Sequence, residues 1–457
     1  MFEKILIANR GVIAQRIART CKRMGVTTVA IYSDADEGGV HVLACDEAVR
    51  IGPASVRESY LAAEAIIEAA KRSGAQAIHP GYGLLSEKAS FARMVRDAGL
   101  AFVGPSSESI EAVGDKMRAR KVATDVAGVR VVPGTDEPVS ELGAARAAAE
   151  QIGYPIVVKA VGGGGGIGMQ IVHDEDGLEK AMRACADRGR QAFADDRVYL
   201  EHYLERPRHV EIQILGDKTG EVIALGEREC SIQRRHQKII EESPAPALMA
   251  LSRGNTVRED MCDAAIRVAQ AVSYENAGTV EFLLDARGKF YFLEVNARIQ
   301  VEHGVTELVT GLDLVEMQLR IAHGETLPDE ATRAVPSGHA IEARVYAENP
   351  AKQFLPAPGS VDELRWPTLP AGKLRIECGV APGLKVTPYY DPMVAKVLTH
   401  GSTRHEAVLT LDRVLAQTHL IPLTTNIPFL RRVLNHESFR AGQYDVTFAE
   451  TLAAQKP

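Results

Sequence analysis

The densest run of chemistry in the chain is Glu294-Val295-Asn296-Ala297-Arg298-Ile299-Gln300-Val301-Glu302, in which polar and apolar residues alternate without a break. In an extended chain, side chains of period two share a face. That face carries two carboxylates, an amide, a guanidinium and a second amide. A solvated edge strand also alternates, but its polar side is more typically Thr, Lys and Ser. A hairpin through Asp285-Ala286-Arg287-Gly288 sets Glu281 across from this run, where it can join Glu294. Glu281, Glu294 and Asn296 form an all-oxygen set suited to Mg²⁺ (or Mn²⁺), which keeps water and phosphate oxygens in its shell. With no histidine or thiolate in the set, zinc does not fit it.

Three further segments could handle anions. Gly162 to Gly166 are five consecutive glycines between two apolar strands, where backbone N–H groups can approach phosphate oxygens without a Cβ in the way. The P-loop pattern is absent, because no Lys-Ser or Lys-Thr follows and the next element is a strand. Lys159, just before the loop, could hold a phosphate or simply end a strand at the surface. In Cys230 to Lys238, the cations Arg234, Arg235, His236 and Lys238 fall within five residues and are flanked by glutamates. Such a run suits local anion binding better than broad nucleic-acid binding. His79-Pro80-Gly81-Tyr82-Gly83 follows a strand, where ligand loops of parallel sheets collect, and a structural turn fits equally. Arg344 reads as one arginine on a strand.

The elements that must position these residues follow from periodicity. Short apolar runs at Ile5 to Ala8, Val29 to Tyr32, Ala77-Ile78 and Ala101 to Val103 alternate with helical patterns, which argues for a parallel sheet covered on both faces. Its first turn, Asn9-Arg10-Gly11, has one glycine and not G-x-G-x-x-G, so a dinucleotide-dependent dehydrogenase is disfavoured. Further on, Leu142 to Ile152 reads as a helix and Ile156 to Val158 as a strand. Residues 403–417 and 427–434 read as helices in a region otherwise rich in short strands. The chain has 457 residues, enough for two or three packed domains, with 46% hydrophobic residues and a net charge of −7. That balance suits a soluble, cytoplasmic protein with no nucleic-acid or membrane partner. The six cysteines are scattered, with no Cys-x-x-Cys, and read as reduced thiols.

Taken together, these segments resemble biotin carboxylase, a family of the ATP-grasp superfamily. The resemblance rests on Ile7 to Gly11, His79 to Glu87, Gly114-Asp115-Lys116, Lys159 with the glycines, Gln233 to Lys238, Glu294 to His303 and Thr425 to Pro428. It implies an α/β and α+β multidomain fold: a Rossmann-like parallel sheet (1–113), an ATP-grasp domain with a mobile glycine-rich lid (114–332, lid about 131–203) and a mostly β C-terminal domain (333–450). It also implies roles. Lys116, Lys159, Gly164, Gly165, Gly166, His209, Gln233 and His236 would contact ATP, and Glu201, His202, Tyr203 and Leu204 would hold the adenine. Glu281, Glu294 and Asn296 would bind the metal. Lys238, Arg298, Gln300 and Val301 would hold bicarbonate, Glu302 would be the general base, and Arg344 and Tyr82 would face biotin.

The implied reaction carboxylates biotin on a separate carrier protein through carboxyphosphate. A separate carboxyltransferase would then pass the carboxyl group to an acyl-CoA, acetyl-CoA in fatty acid biosynthesis being the first expectation and pyruvate or urea the alternatives. Another ATP-grasp ligase is one rival, and a catalytically inactive binding subunit, suggested by departures from the family pattern, is the second. No Met-Lys-Met carrier motif occurs in the chain. A homodimer is expected. Departures from the family pattern are Val12 for glutamate, Ile167 for arginine, His202 for lysine, Ala297 for threonine, Gly304 for proline, and Arg23 where some members are acidic.

Overall fold

The computed structural model describes residues 1–162 and 168–455. Gly164, Gly165, Gly166 and Ile167, named above, therefore lie outside the described residues. Residues 4–102 form a five-stranded parallel sheet in the order Glu47–Gly52, Thr27–Ser33, Lys4–Ile7, Ala77–His79, Ala101–Phe102. Ile5, Leu6, Ile7, Val29, Ile31 and Ile78 are buried, as continuous apolar runs in a parallel sheet should be. The strand order reverses between Lys4–Ile7 and Ala77–His79, where ligand crevices open in such sheets. Asn9 ties the two loops at that point, its amide donating to the carbonyls of Pro80 (2.7 Å) and Tyr82 (2.8 Å). Gly81 is required there: its φ is +63°, and a Cβ would lie 2.9 Å from the Asn9 amide.

Eight antiparallel strands form the large sheet that carries the chemistry. Their order is Phe290–Asn296, Asn276–Leu284, Arg208–Gly216, Val222–Arg234, Gln237–Ser243, His339–Tyr346, Met393–Gly401, Leu374–Cys378. Central and C-terminal strands thus share one sheet, joined where Gln237–Ser243 pairs with His339–Tyr346. Helix Gly254–Ala271 covers one face and helix His303–Thr310 the other. A separate three-stranded sheet, Met169–Val172, Ile156–Ala160 and Val198–His202, lies under helices Leu142–Ile152 and Leu178–Phe193. The mixed α/β class expected from the sequence is what the chain adopts. Among the described residues, no helix is long and apolar enough to cross a membrane.

The hairpin forms as anticipated, with longer strands, but the alternating run does not stay extended. The strand ends at Asn296, and the chain turns at Val301 and Glu302 to enter helix His303–Thr310. Helix Gly254–Ala271 was not anticipated. Its inward face is Met261, Ala264, Ala265 and Val268, and alanines give little contrast with a polar background. The strand bearing Glu281 is packed without slack: a Cβ at Gly278 would lie 2.2 Å from the Tyr274 hydroxyl, which is buried and donates to the Ala277 carbonyl. Gly278→Ala is therefore expected to cost about 1–3 kcal/mol by overpacking, read as a lower unfolding midpoint in denaturant.

Candidate active site

The site is built on a row of charges running across four adjacent strands. Register places Arg228 opposite Glu211, Glu211 opposite Glu281, and Glu281 opposite Glu294. Side chains at directly paired positions share a face, so the row is a consequence of pairing alone. Arg228 is fully enclosed and uses all its donors. Nε donates to Glu211 (2.6 Å), Nη1 to Gln213 (2.6 Å) and Thr306 (3.0 Å), and Nη2 to Thr279 (2.9 Å) and Gln300 (2.9 Å).

Lys238 reaches into this row from the strand Gln237–Ser243. Its Nζ donates to Glu211 (2.6 Å), Glu281 (2.8 Å) and Glu302 (2.7 Å). Burial disfavours the ammonium, but the three carboxylates more than offset this and hold its pKa well above the usual lysine value. Burial also opposes ionisation of Glu302; Lys238, Arg344 and Arg228 overcome it and hold that carboxyl below the usual range. Glu281 is lowered in the same way, burial opposing and Lys238 and His209 prevailing.

The alternating run delivers its polar side chains to this place despite the turn. The amides of Asn296 (2.9 Å) and Gln300 (2.8 Å) both donate to Glu281, and Arg298 donates to Asn296 (2.9 Å) and to Glu87 (2.9 Å). Val295, Ala297 and Ile299 are buried among apolar neighbours. Glu302 is the first residue before helix His303–Thr310 and not a strand residue, and it accepts Arg344 Nη2 (2.9 Å) on the oxygen not taken by Lys238. His209 Nδ1 faces the Gln233 amide at 2.6 Å, and its Nε2 lies 2.7 Å from Glu281.

The four cations of the 234–238 segment do not act as one cluster. Arg234 pairs with Glu348 (2.7 Å) and lies over Phe354. Arg235 and His236 form an exposed two-residue turn with positive φ, and Lys238 points into the carboxylates. Pleat alternation and the tight turn separate them.

Lys159 and Arg120 are both hydrogen-bonded to the buried Glu201 carboxylate. The backbone N–H groups of His202 and Tyr203 are taken by the carbonyls of Pro133 and Pro155, and Leu204 follows at the strand end. Lys116 approaches Glu294 at 3.4 Å. Tyr82, Arg298, Val301 and Arg344 line one cavity of about 790 Å³ between the parallel sheet's switch point and the large sheet.

A divalent cation fits the carboxylate end of the row by donor chemistry. Glu281 and Glu294 stand directly opposite, Asn296 adjoins Glu281, and the Glu294 side chain is 30% exposed. Cys230 does not alter this, because burial holds its thiol protonated, well above the ordinary value.

Several site residues were not foreseen: Glu211, Arg228, Glu87 and Glu241. For Glu211 a signal existed. His209, Glu211 and Gln213 alternate with Val210, Ile212 and Ile214, the same period that marked 294–302. Of the departures, Gly304 has a local reason, since a Cβ there would lie 2.4 Å from Leu398. Val12 packs beside Gly379 at the cavity, and His202 faces the Gly153 carbonyl. Arg23 pairs with Asp313 and Glu316 of its own chain. Ala297 is buried, with its N–H donating to Glu87.

Comparison with known proteins bears directly on this geometry. Residues 1–110 match the model for the biotin carboxylase N-terminal domain, 115–330 that for the carbamoyl-phosphate synthase L chain ATP binding domain, and 342–451 that for the biotin carboxylase C-terminal domain. The chain belongs to the biotin carboxylase family. A biotin carboxylase of Halalkalibacterium halodurans is 49% identical over 449 residues, covering 98% of this chain and 97% of that one. The mitochondrial methylcrotonoyl-CoA carboxylase subunit alpha of Dictyostelium discoideum is 48% identical over 445 residues, but this chain spans only 63% of it. The biotin carboxylase domain of Hydrogenobacter thermophilus 2-oxoglutarate carboxylase, crystallised as a dimer with MgADP, ADP and bicarbonate, superposes with a TM-score of 0.94 at 39% identity over the whole of both chains. Biotin carboxylases are thus similar to this chain from end to end, in sequence and in fold.

Two outcomes follow from the buried charges. Arg228→Leu leaves Glu211 beside Glu281 without its guanidinium and should cost about 3–5 kcal/mol, seen as a lower unfolding midpoint. Burial raises Glu241 to about 8 and Glu342 to about 7, each against a neighbouring cation. An acid raised on folding is penalised only once the unfolded chain ionises and the folded one does not. The cost is absent below the ordinary carboxylate range and grows up to the raised value. Glu302 and Glu281 behave oppositely and lose their contribution only in strong acid. His41, held at about 4, and His79 and His303, held at about 3 by burial, act in the opposite sense to Glu241 and Glu342 and add stability as pH rises to 6.5. Above that value the histidine effect is complete, so the thermal midpoint should fall as pH rises from roughly 7 to 8; a midpoint rising over that interval contradicts the assignment.

Proposed function

We propose that this chain carries out the ATP- and bicarbonate-dependent carboxylation of biotin on a carrier protein, the first half-reaction of an acyl-CoA carboxylase. The observation that carries this reading is the meeting of Lys238, Arg298, Gln300 and Glu302 at the mouth of an oxygen-donor pair, Glu281 and Glu294, beside a cavity lined by Arg344. Bicarbonate is a weak nucleophile and needs both a cationic cradle and a base. Lys238 and Arg298 supply the cradle, and Gln300 with the Val301 backbone orients the anion. Glu302 removes the proton. In the free site both Glu302 oxygens accept hydrogen bonds from cations, which suppresses its basicity. An anion that draws Lys238 or Arg344 away would raise it, so substrate arrival itself activates the base.

Lys116, Lys159, His209 and His236 would bind the nucleotide. Tyr203 and Leu204 would flank the adenine, with Glu201 setting the position of Lys159. Glu281, Glu294 and Asn296 would hold Mg²⁺ or Mn²⁺. When bound, that ion offsets phosphate charge during in-line transfer. Attack of bicarbonate on the γ-phosphate expels ADP and gives carboxyphosphate, whose hydrolysis must be prevented; the three-stranded layer bearing Lys159 is suited to cover it. Carboxyphosphate breaks down to CO₂ and phosphate, and the phosphate takes the biotin ureido proton so that the nitrogen can attack CO₂. Arg344, with Tyr82 nearby, then stabilises the oxyanion of deprotonated biotin. An acyl-CoA acceptor is favoured by the 48% identity to a methylcrotonoyl-CoA carboxylase subunit. A separate carboxyltransferase and a dimeric state complete the proposal.

The test is bicarbonate-dependent ATP cleavage stimulated by free biotin. Glu302→Gln should abolish biotin carboxylation while leaving nucleotide affinity near the parent value. Unchanged turnover in that variant removes the assignment of the base, and no biotin stimulation in the parent removes the function.

A further inference from the structure

The catalytic reading leaves two buried carboxylates unused. Glu241 and Glu342 are fully enclosed and face each other directly across paired strands. None of their four oxygens receives a hydrogen bond. Like charges at directly opposed positions repel, and a buried carboxylate without donors is a liability to the fold. An apolar pair would be more stable there, so the arrangement calls for another explanation.

Glu342 has Lys396 at 3.5 Å, and that lysine is itself committed to Glu377 (2.8 Å) and to the Val301 carbonyl (2.6 Å). Glu241 has a different neighbour. Its Oε1 lies 2.6 Å from Arg344 Nε, close enough for a strong ion pair yet off the N–H direction. Arg344 is thus shared. Nη2 is hydrogen-bonded to Glu302, the Nε side is held by Glu241, and the remainder of the guanidinium borders the cavity. Among the described residues, these two carboxylates are the only ones within ion-pair distance of Arg344.

We infer that Glu241 is a positioning residue for Arg344: it competes with Glu302 for the guanidinium and keeps that group turned toward the cavity, where a substrate oxyanion can claim it. This rests on the reading of Arg344 as the biotin-facing arginine. Without Glu241, the nearest anion left to Arg344 is Glu302. A planar guanidinium then satisfies itself by closing on both carboxylate oxygens, the arrangement it prefers. The base would be locked in an ion pair and the oxyanion site emptied of its donor. The off-line contact at Nε fits this role, since a fully formed hydrogen bond would anchor the arginine and not leave it movable. Burial pushes the Glu241 carboxyl up to about 8, with Arg344 opposing, so it holds the guanidinium as a full carboxylate only in mildly alkaline solution.

The experiment uses the full chain, with ATP, bicarbonate and free biotin, at a pH above 8 where Glu241 is ionised, and compares Glu241→Gln, Glu241→Asp, Arg344→Gln and the Glu241→Gln/Arg344→Gln double variant. Glutamine keeps the shape and removes the charge. Glu241→Gln should lower kcat for biotin-stimulated ATP cleavage by about tenfold or more, the scale of a misplaced catalytic group, with KM for ATP unchanged. Its thermal midpoint should not fall, because a buried carboxylate without donors has been removed. Glu241→Asp should recover part of the loss. In the Arg344→Gln background, Glu241→Gln should change the rate by less than about twofold, because residues acting through one another are not additive. Parent-level turnover in Glu241→Gln, or the full loss reappearing on top of Arg344→Gln, overturns the inference while leaving the function intact. A parent chain without biotin-dependent turnover overturns the functional reading, and this inference with it.

Discussion

A single ammonium group organises the centre of this molecule. Lys238 is hydrogen-bonded to Glu211, Glu281 and Glu302, which come from two neighbouring strands and the start of a helix. Three carboxylates this close repel one another in a poorly solvated interior, and each would take up a proton if left alone. Lys238, with Arg228 behind Glu211 and Arg344 beyond Glu302, makes three cations for three anions. Cations and anions thus balance in number across the set. Such an arrangement is costly to break at one point and easily rearranged by an incoming ion, which is what a site for small anions requires.

The sheet explains why these groups meet. Antiparallel pairing repeats the same offset on every strand, so Arg228, Glu211, Glu281 and Glu294 align across four strands without any loop to guide them. Helix His303–Thr310 closes the Arg228 end of the row off from water, Thr306 accepting a hydrogen bond from Arg228, while the Glu294 end stays partly exposed. Loops add the parts that contact the cavity. Tyr82 and Asn9 come from the C-terminal edge of the parallel sheet, at the point where its strand order reverses.

Much of this was legible in the residues. The parallel sheet announced itself through apolar runs separated by helical spacing, and the hairpin between Glu281 and Glu294 through its turn residues. The alternation of 294–302 correctly gathered five polar groups, although the last of them reaches the site from a helix start and not from a strand. What could not be read was charge pairing between distant strands. Arg228 sits amid glutamates at 227 and 229 and looks like any polar stretch; only register shows that it opposes Glu211. The four cations at 234–238 misled for the same reason, since local density says nothing about which face each side chain takes. Helix Gly254–Ala271 escaped notice because alanine fills its inner face.

The pairing of Gln237–Ser243 with His339–Tyr346 has a practical corollary. A fragment that stopped before residue 339 would strip the partner from a strand bearing Lys238 and Glu241, leaving a row of unsatisfied amides and carbonyls open to the next molecule. The nucleotide-binding portion is therefore no separable module. Dissecting the enzyme by truncation invites self-association, and shuffling its C-terminal third between homologues would have to preserve this seam, residue for residue.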